Sequence, residues 1–568
     1  MNNINEALNA EKKYKTSVEE AQEYIENFDI LETINNVGND EVFTPVKVCQ
    51  QILDIFPKEV WSNPDYKWLN PCDKNGVFLR EIALRLDAGL SEWEIDTEKR
   101  RKHILQKMIY SIGLTKFTSQ VSRRTVYYCS QANRKFDGKG DQDGNSINGY
   151  AIGNGEWFDT EQGNILTPIT EHTFNKGKCI YCGTAENDKD GKPGRYSDPK
   201  QLEHYAYEFI HVEDIEKHLQ NRFFGGDKMK FDIIIGNPPY QLSDGGQGAS
   251  AKPLYNLFVD QAIKLNPKYV SMIIPSRWMA GGKGLDSFRE KMITDTHIRE
   301  LHDFTDHKLC FPNANITGGV CYFVWDSNYT GKCTVCRHDE NGISKSSRYL
   351  KEKGIDIVIR DERQKHILTK VQALKEDSFS KIVSPLKPYG LRGDFMKDPS
   401  KYGLPPISEK PFAKCLSIWG IENGNRIQKY LTNEYPIPNR REDLHKYKIF
   451  INRGDGAAGY IGNPKPARIL GTPIIGKPKE LCSETFLSIG PFDSELISNN
   501  AISYMKTKFF RFLVGIRKIS QDMSSRVYKF VPMQDFSMTW SDKELYAKYN
   551  LSNEEIAYIE ENIKDVEW

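Results

Sequence analysis

Phe231-Asp232-Ile233-Ile234-Ile235-Gly236-Asn237-Pro238-Pro239-Tyr240 is the stretch on which the reading of this chain turns. A β-branched run closed by turn residues is the pattern of a strand buried on both faces, as in a parallel sheet. Two consecutive prolines cannot continue a ladder, so the strand stops near Gly236 and a stiff turn follows. In open α/β sheets ligands gather at the carboxyl ends of strands. The Asn237 amide and the Pro238 carbonyl are then acceptors at fixed positions, suited to an exocyclic amino group. The Tyr240 ring suits stacking on a planar base. The plainer reading is a proline-stiffened turn with a surface tyrosine.

The same rhythm extends on both sides. Upstream, Tyr66-Lys67-Trp68-Leu69 reads as a short strand, Asn70 to Gly76 as a turn, and Val77 to Leu86 as a helix with Phe78, Leu79, Ile82, Ala83 and Leu86 on one face. Met108 to Leu114 is the next strand. Before them, Pro45 opens a helix carrying Val46, Val48, Ile52, Leu53 and Ile55. Downstream come a helix over 254–265 and strands at Tyr269 to Ile274 and Val320 to Trp325. Strand, turn, helix, strand predicts an α/β fold with a doubly wound, mainly parallel sheet. Residues 1–40 read as an N-terminal helical arm, with Val18, Ala21, Tyr24 and Ile25 at helical spacing. The turn-rich segment of about 120–205 reads as an insertion in a domain spanning 41–345, and 346–568 as a separate α+β domain.

Composition sets outer limits. The 568 residues are several times the usual domain size, and 39% hydrophobic with 11% aromatic content supports large cores. Seventy-eight basic residues against 77 acidic leave a formal charge of +1, which excludes a uniformly basic coat but not local basic surfaces. The chain shows no 18-residue apolar run and no signal-peptide core, so a cytoplasmic protein without membrane contact is expected. Eleven thinly spread cysteines fit reduced thiols used singly or for metal.

Several segments, in order, resemble the S-adenosylmethionine-dependent amino-group DNA methyltransferases of the gamma class, the restriction-modification methylases. Phe43-Thr44-Pro45 resembles the motif that touches the cofactor's methionine end. Asn70-Pro71-Cys72-Asp73-Lys74-Asn75-Gly76-Val77-Phe78-Leu79 resembles the cofactor loop, and Asn237 to Tyr240 the catalytic motif. Tyr269 to Trp278 and Ile316 to Phe323 resemble segments that build the target-base pocket. The resemblance implies a Rossmann-like class I methyltransferase sheet followed by a C-terminal target-recognition domain. It also implies a host of bacterial or phage origin with a nucleoid-associated enzyme, and a restriction nuclease as a possible partner. Asn at the first motif position points to N6 of adenine. In that reading Phe43, Thr44, Pro45, Asn70, Pro71, Cys72, Gly76 and Phe78 hold the cofactor. Asn237 and Pro238 draw on the amino protons of a flipped-out adenine in double-stranded DNA, Pro239 stiffens the turn, and Tyr240 stacks on the base.

The loop departs from the family pattern. Asn70 stands where an acid is usual, and Lys74 where a glycine is usual. No acid follows the second strand, where Leu114-Thr115 stands; Asp214 is the candidate for the cofactor's adenine end, with helix capping as its alternative.

Two further signals lie outside these motifs. Cys179-Ile180-Tyr181-Cys182-Gly183 is a C-x2-C knuckle. With His172 and Cys129 it makes a candidate Cys3His structural zinc site, His204 being an alternative to His172 and reduced surface cysteines the bland reading. Cys333, Cys336 and His338 form a competing set in strand-like sequence. In residues 506–529, Lys506, Lys508, Arg511, Arg517, Lys518, Arg526 and Lys529 face one acid, Asp522, among Phe509, Phe510 and Phe512. Arg511, Arg517, Lys518, Arg526 and the loop residue Arg453 are the candidate DNA contacts, against an amphipathic helix burying its phenylalanines. Other readings keep the fold and methylate RNA or a protein amide nitrogen, or add a nuclease. For the last, Glu11-Lys12-Lys13 is the one weak match.

Overall fold

The computed structural model describes residues 42–123, 125–126, 162–188, 191–194, 206–241, 252–282, 284–314, 316, 318–339, 342–455, 458–459, 461–462, 464–518 and 523–568. The N-terminal arm, Glu11-Lys12-Lys13, Cys129, His204 and Asp522 lie outside the described residues. The chain divides into two compact units, 1–354 and 355–568.

The first unit opens with helix α1 (Val46–Asp54), for which Pro45 stands at the N-cap position with Cys49 N–H on its carbonyl. Strand β1 (Trp68–Asp73) runs into α2 (Val77–Gly89) and α3 (Thr97–His103), then β2 (Ile109–Gly113), α4 (Lys116–Arg123) and the short β3 (Ile165–Leu166). A small hairpin, β4 (Phe174–Asn175) and β5 (Lys178–Cys179), belongs to the predicted insertion. The sheet resumes through α5 (Ile215–Phe224), β6 (Ile233–Gly236), α6 (Tyr255–Lys264), β7 (Tyr269–Pro275), α7 (Asp286–Thr294), β8 (Ile298–Phe304), β9 (Val320–Asp326), β10 (Cys333–Asp339) and β11 (Gly342–Arg348).

Nine strands order as β11-β10-β8-β9-β7-β6-β1-β2-β3. The pairs β7-β6-β1-β2-β3 and β10-β8 are parallel, while β9 and β11 run antiparallel to their neighbours. The fold is a mixed α/β one with a large, mostly parallel sheet. Every residue of β1, β6, β7 and β9 is buried, which is why β6, β7 and β9 read as near-continuous apolar runs rather than alternating ones, while β1 ends in the buried polar Asn70 and Asp73. β11 carries the sheet to Arg348, so the sheet does not stop at 345, where the sequence reading placed the domain's end.

β1 extends further than the turn residues suggest. Asn70 pairs with Ser111 and Asp73 with Gly113, so β1 spends one more residue than β2 between these pairs. That bulge accommodates Pro71, which has no N–H to give the ladder. The Asn70 side chain accepts the Cys72 N–H at 3.2 Å in its place.

The second unit holds α8 (Glu362–Ala373) and two three-stranded sheets: β12 (Leu416–Glu422) and β13 (Asn425–Leu431), then β14 (Tyr447–Asn452), β15 (Ile474–Gly476), β16 (Glu480–Cys482) and β17 (Phe486–Phe492). The sheet orders are β13-β12-β16 and β15-β14-β17. Helices α9 (Glu495–Lys506), α10 (Lys508–Arg517), α11 (Asp542–Lys548) and α12 (Asn553–Asn562) follow. Capping boxes at Ser541/Glu544 and Ser552/Glu555 start the last two. No helix among the described residues is long and apolar enough to cross a membrane.

Candidate active site

β6 sits between β1 and β7, where the order of successive strands reverses direction, the place an open α/β sheet leaves a crevice. Asn237 emerges from β6 there and is 3% exposed. Its Nδ2 donates to the Val42 carbonyl at 2.8 Å and to Thr44 Oγ1 at 3.1 Å. The carbonyl has no hydrogen to give, so these bonds assign the amide's orientation. Oδ1 is left buried with no hydrogen-bond partner among the described residues. A buried acceptor without a donor costs on the order of 1–3 kcal/mol, so the site holds a group that awaits one.

The Val42 carbonyl is a hub. Lys74 Nζ donates to it at 2.8 Å, as does Asn237 Nδ2. One oxygen thus joins the segment before Phe43-Thr44-Pro45, the β1–α2 loop and the Asn237–Tyr240 turn. This accounts for a lysine at a position where the family pattern has glycine: its ammonium is a tether.

The leading asparagine has a matching explanation. Asp73 Oδ1 accepts from Asn70 Nδ2 and from the N–H groups of Lys74 and Gly76, at 3.0–3.2 Å. Its Oδ2 accepts from the hydroxyls of Ser111 and Ser122. Burial pushes the Asp73 carboxyl up, against these five donors. A second acid at position 70 would face this carboxylate in a dry setting, whereas Asn70 donates to it.

Gly76 has φ +80°, and a Cβ there would lie 3.0–3.1 Å from Ser122 of α4. The glycine therefore lets the chain's own helix approach. Gly236 is a residue the sequence reading passed over: a Cβ on it would sit 2.6 Å from Cys72 Sγ and 2.8 Å from Asn70 Oδ1. Asn75, within the loop, keeps Nδ2 buried with no hydrogen-bond partner among the described residues. Phe43, Cys72 and Phe78 are buried, and the Cys72 thiol donates to Asn70 Oδ1 at 3.6 Å. The Thr44 hydroxyl, which accepts from Asn237 and keeps its own proton to give, and the Asn75 amide are groups with hydrogen-bonding capacity suited to the amino-acid end of a methionine-derived cofactor, whereas the Val42 carbonyl already accepts twice. After β2, however, the Leu114 N–H bonds Asp73 O and Thr115 caps its own turn with Thr118, so no acid faces a ribose there.

Three of the predicted roles need correction or restriction. Asp214 is an exposed helix cap that accepts the Lys217 N–H at 3.1 Å, so the adenine-end assignment is replaced by the capping one. Tyr240 is no surface tyrosine: the residue is 9% exposed within the core cluster of the first unit, and its buried hydroxyl has no hydrogen-bond partner among the described residues. Burial raises the phenol's pKa well above its ordinary value.

The third correction concerns the basic segment. Arg511, Arg517 and Lys518 are buried. Arg511 Nη1 donates to the carbonyls of Lys564 (2.6 Å) and Arg468 (3.2 Å), and burial pulls its pKa down to about 10. Arg517 grips Asp356 with two nitrogens at 2.5 and 3.2 Å. Lys518 Nζ donates to the carbonyls of Gly459 and Ile469, each at 2.7 Å. These three are internal struts and cannot reach phosphates without unfolding α10. Arg526 is exposed and Arg453 half-buried.

In the insertion, His172, Cys179 and Cys182 come together, and the fourth group within reach is His211, from the turn before α5, which sequence spacing did not reveal. Cys336 lies with Glu300 and His302 instead of Cys333; a strand alternates its faces, which puts Cys336 and His338 on one side and Cys333 on the other.

The family model of the Eco57I restriction-modification methylase matches residues 107–311. A Mycoplasma pneumoniae protein described as an uncharacterized adenine-specific methylase is 50% identical over 322 residues, covering 55% of this chain and 72% of that protein. The type IIL restriction-modification enzyme MmeI in complex with DNA aligns at TM-score 0.41 and 12% identity, over 91% of this chain and 70% of its own. A nuclease-deletion mutant of the type ISP enzyme LlaGI, bound to a DNA substrate mimic, aligns at TM-score 0.44 and 11% identity, over 85% of this chain and 45% of its own. With its α/β sheet and the Asn-Pro-Pro-Tyr turn at the switch point, the chain is a methylase. It belongs to the adenine-specific methylases of restriction-modification type.

Proposed function

We propose that the chain transfers a methyl group from S-adenosylmethionine to N6 of an adenine flipped out of double-stranded DNA, on a class I methyltransferase sheet. The observation that carries this reading is the buried, unpartnered Oδ1 of Asn237, held in place through Nδ2. The N6 lone pair of adenine is delocalised into the ring and is a weak nucleophile. An acceptor on one amino proton favours a pyramidal nitrogen whose lone pair leaves the ring plane, and a preorganised acceptor does so without reorganising during reaction. The Val42–Thr44–Lys74 hub contributes by fixing where that acceptor stands. The bound cofactor would supply the electrophilic methyl, with Thr44 and Asn75 as the residues of this chain to hold its methionine end. Tyr240 serves the flipped base only if part of its cover withdraws, so base entry requires movement around the catalytic turn.

The second unit is proposed to read the DNA sequence, with Arg526 and Arg453 remaining as contacts from the predicted set and a partner nuclease as a further possibility of the restriction-modification setting. The test is single-molecule mapping of DNA from a methylation-free bacterial host expressing the chain or its Asn237→Ala variant. N6-methyladenine at one recurring motif, absent with the variant, is the expected result. An unmodified genome from folded protein would move the substrate to RNA or to a protein amide.

A further inference from the structure

We infer that His172, Cys179, Cys182 and His211 bind one zinc ion in a closed tetrahedral site that fastens the insertion to the segment leading into α5. This inference is independent of the reaction assigned above.

The geometry is the first support. One ligand atom from each of the four residues lies within 4.8 Å of all the others, and Cys182 Sγ is 3.6 Å from His172 Nδ1. Zinc at about 2.3 Å from sulfur and about 2.0 Å from nitrogen implies ligand–ligand edges of roughly 3.3–3.8 Å. The four groups need close by only about an ångström to reach them.

His211 is the second. Its Nδ1 lies 2.9 Å from the Tyr207 carbonyl, which can only accept, so Nδ1 carries the proton. Nε2 must then present a lone pair, and it is buried without a hydrogen-bond partner among the described residues. A metal-binding histidine ordinarily has its other nitrogen pinned in this way, which sets tautomer and ring direction together. The ring faces His172 edge-on at 4.9 Å between centroids.

The knuckle turns tightly between its two sulfurs, with the Cys179 N–H on the Thr184 carbonyl at 2.9 Å. Gly183, at φ +73°, completes the turn with its N–H on the Cys179 carbonyl at 2.9 Å. Two thiolates and two imidazoles with no open position suit a structural zinc ion.

Among the described residues the hairpin has little apolar support of its own. Cys179 and Cys182 are buried, but Ile180 between them is 55% exposed, and Phe174 and Tyr181 are only half-buried. A strand pair of two residues each does not hold itself together in water. By contrast, the segment bearing His211 is firmly set: Phe209 and Ile210 are buried, and Glu208 accepts from His218, Arg222 and the Ile169 N–H. A metal would transmit that rigidity to the insertion. The other cluster has no such vacancy, because both nitrogens of His302 are engaged, by Glu300 on one side and by His338 and Tyr322 on the other.

The test uses the full chain purified without chelator. Metal analysis by plasma mass spectrometry should find one zinc per chain, with Cys179→Ser and His211→Gln each losing it and Cys336→Ser retaining it. Should the ligand variants fail to fold, cobalt exchanged into the wild-type chain should show the d–d bands of a tetrahedral site and a charge-transfer band sized for two thiolates. Zinc-free folded protein, a Cys179–Cys182 disulfide, or loss of zinc in Cys336→Ser would overturn the site. Full zinc in His211→Gln, or a cobalt spectrum sized for three thiolates, would overturn His211 as the fourth ligand.

Discussion

The catalytic turn in the first unit and helix α10 in the second both place polar groups in dry surroundings, and they do so to opposite ends. Around α10 none of the nitrogens of Arg511, Arg517 or Lys518 is left buried without a partner. Every charge is spent on the chain itself, and the cations serve as struts. At Asn237 the amide nitrogen is used up and the oxygen is left waiting. A folded chain tolerates such an orphan only at a cost, which is why the proposed function puts the substrate's amino group at the unmet acceptor and not at the satisfied cations. Charge density in the sequence pointed toward α10; hydrogen-bond satisfaction points away from it.

The comparison breaks first at Asn237. Replacing it with alanine should lower methyl transfer to DNA by at least about 100-fold, the scale expected for losing a preorganised polar contact in the transition state. Cofactor binding, followed by calorimetry, should persist. Activity within a few-fold of wild type would remove Asn237 from the chemistry.

In the second unit, Arg511→Ala should destabilise by roughly 3 kcal/mol in urea unfolding, since it strands buried carbonyls and opens a cavity. Arg526→Ala, at an exposed position, should leave stability within about 0.5 kcal/mol while weakening DNA binding and reducing its salt dependence. Equal stability effects for the two would contradict the division into strut and contact.

Lys74→Met tests the hub. Losing a charged hydrogen bond to the Val42 carbonyl should cost about 1.5–3 kcal/mol of stability. It should also raise KM for the cofactor more than it lowers kcat, because the tether positions the loop. A variant with unchanged KM and stability would make Lys74 incidental.

The smallest effect concerns pH. Burial opposes ionisation of Asp356, but the Arg517 and Lys529 cations outweigh it and hold the carboxyl below its ordinary 3.8. A depressed carboxylate contributes stability that is full above the unfolded value and is lost as pH falls through the folded one. Wild type should therefore lose its stability advantage over Asp356→Asn as pH drops below about 4. An advantage that is constant down to strongly acidic pH would show that the pair contributes nothing electrostatic.

Much of the first unit was open to reading from the residues. Buried parallel strands such as β6, β7 and β9 announce themselves because both faces are covered and no polar alternation interrupts them. The β12–β13 hairpin went unread in the mixed texture of its region, although the Asn423-Gly424 pair that turns it, both at positive φ, is a hairpin signal. Other features could not be read. Asn70 and Lys74 looked like defects of a glycine-rich loop until Asp73 and the Val42 carbonyl came beside them. His211 is 29 residues beyond Cys182, too far for any local metal pattern to include it.

What the sequence determined by itself is local: the periodicity of strands, the prolines that stop β6, the knuckle turn, and the order of motifs along the chain. These depend on neighbours in the chain, whose spacing is set by covalent geometry. What the tertiary structure alone decided is satisfaction: which buried donor meets which acceptor across long stretches of chain. On that depend the unmet oxygen of Asn237, the internal use of Arg511, Arg517 and Lys518, and the meeting of His211 with Cys179. In a low-dielectric interior an unpaired polar atom costs more than most packing contacts gain, so partners brought together by the fold decide what each polar residue is for.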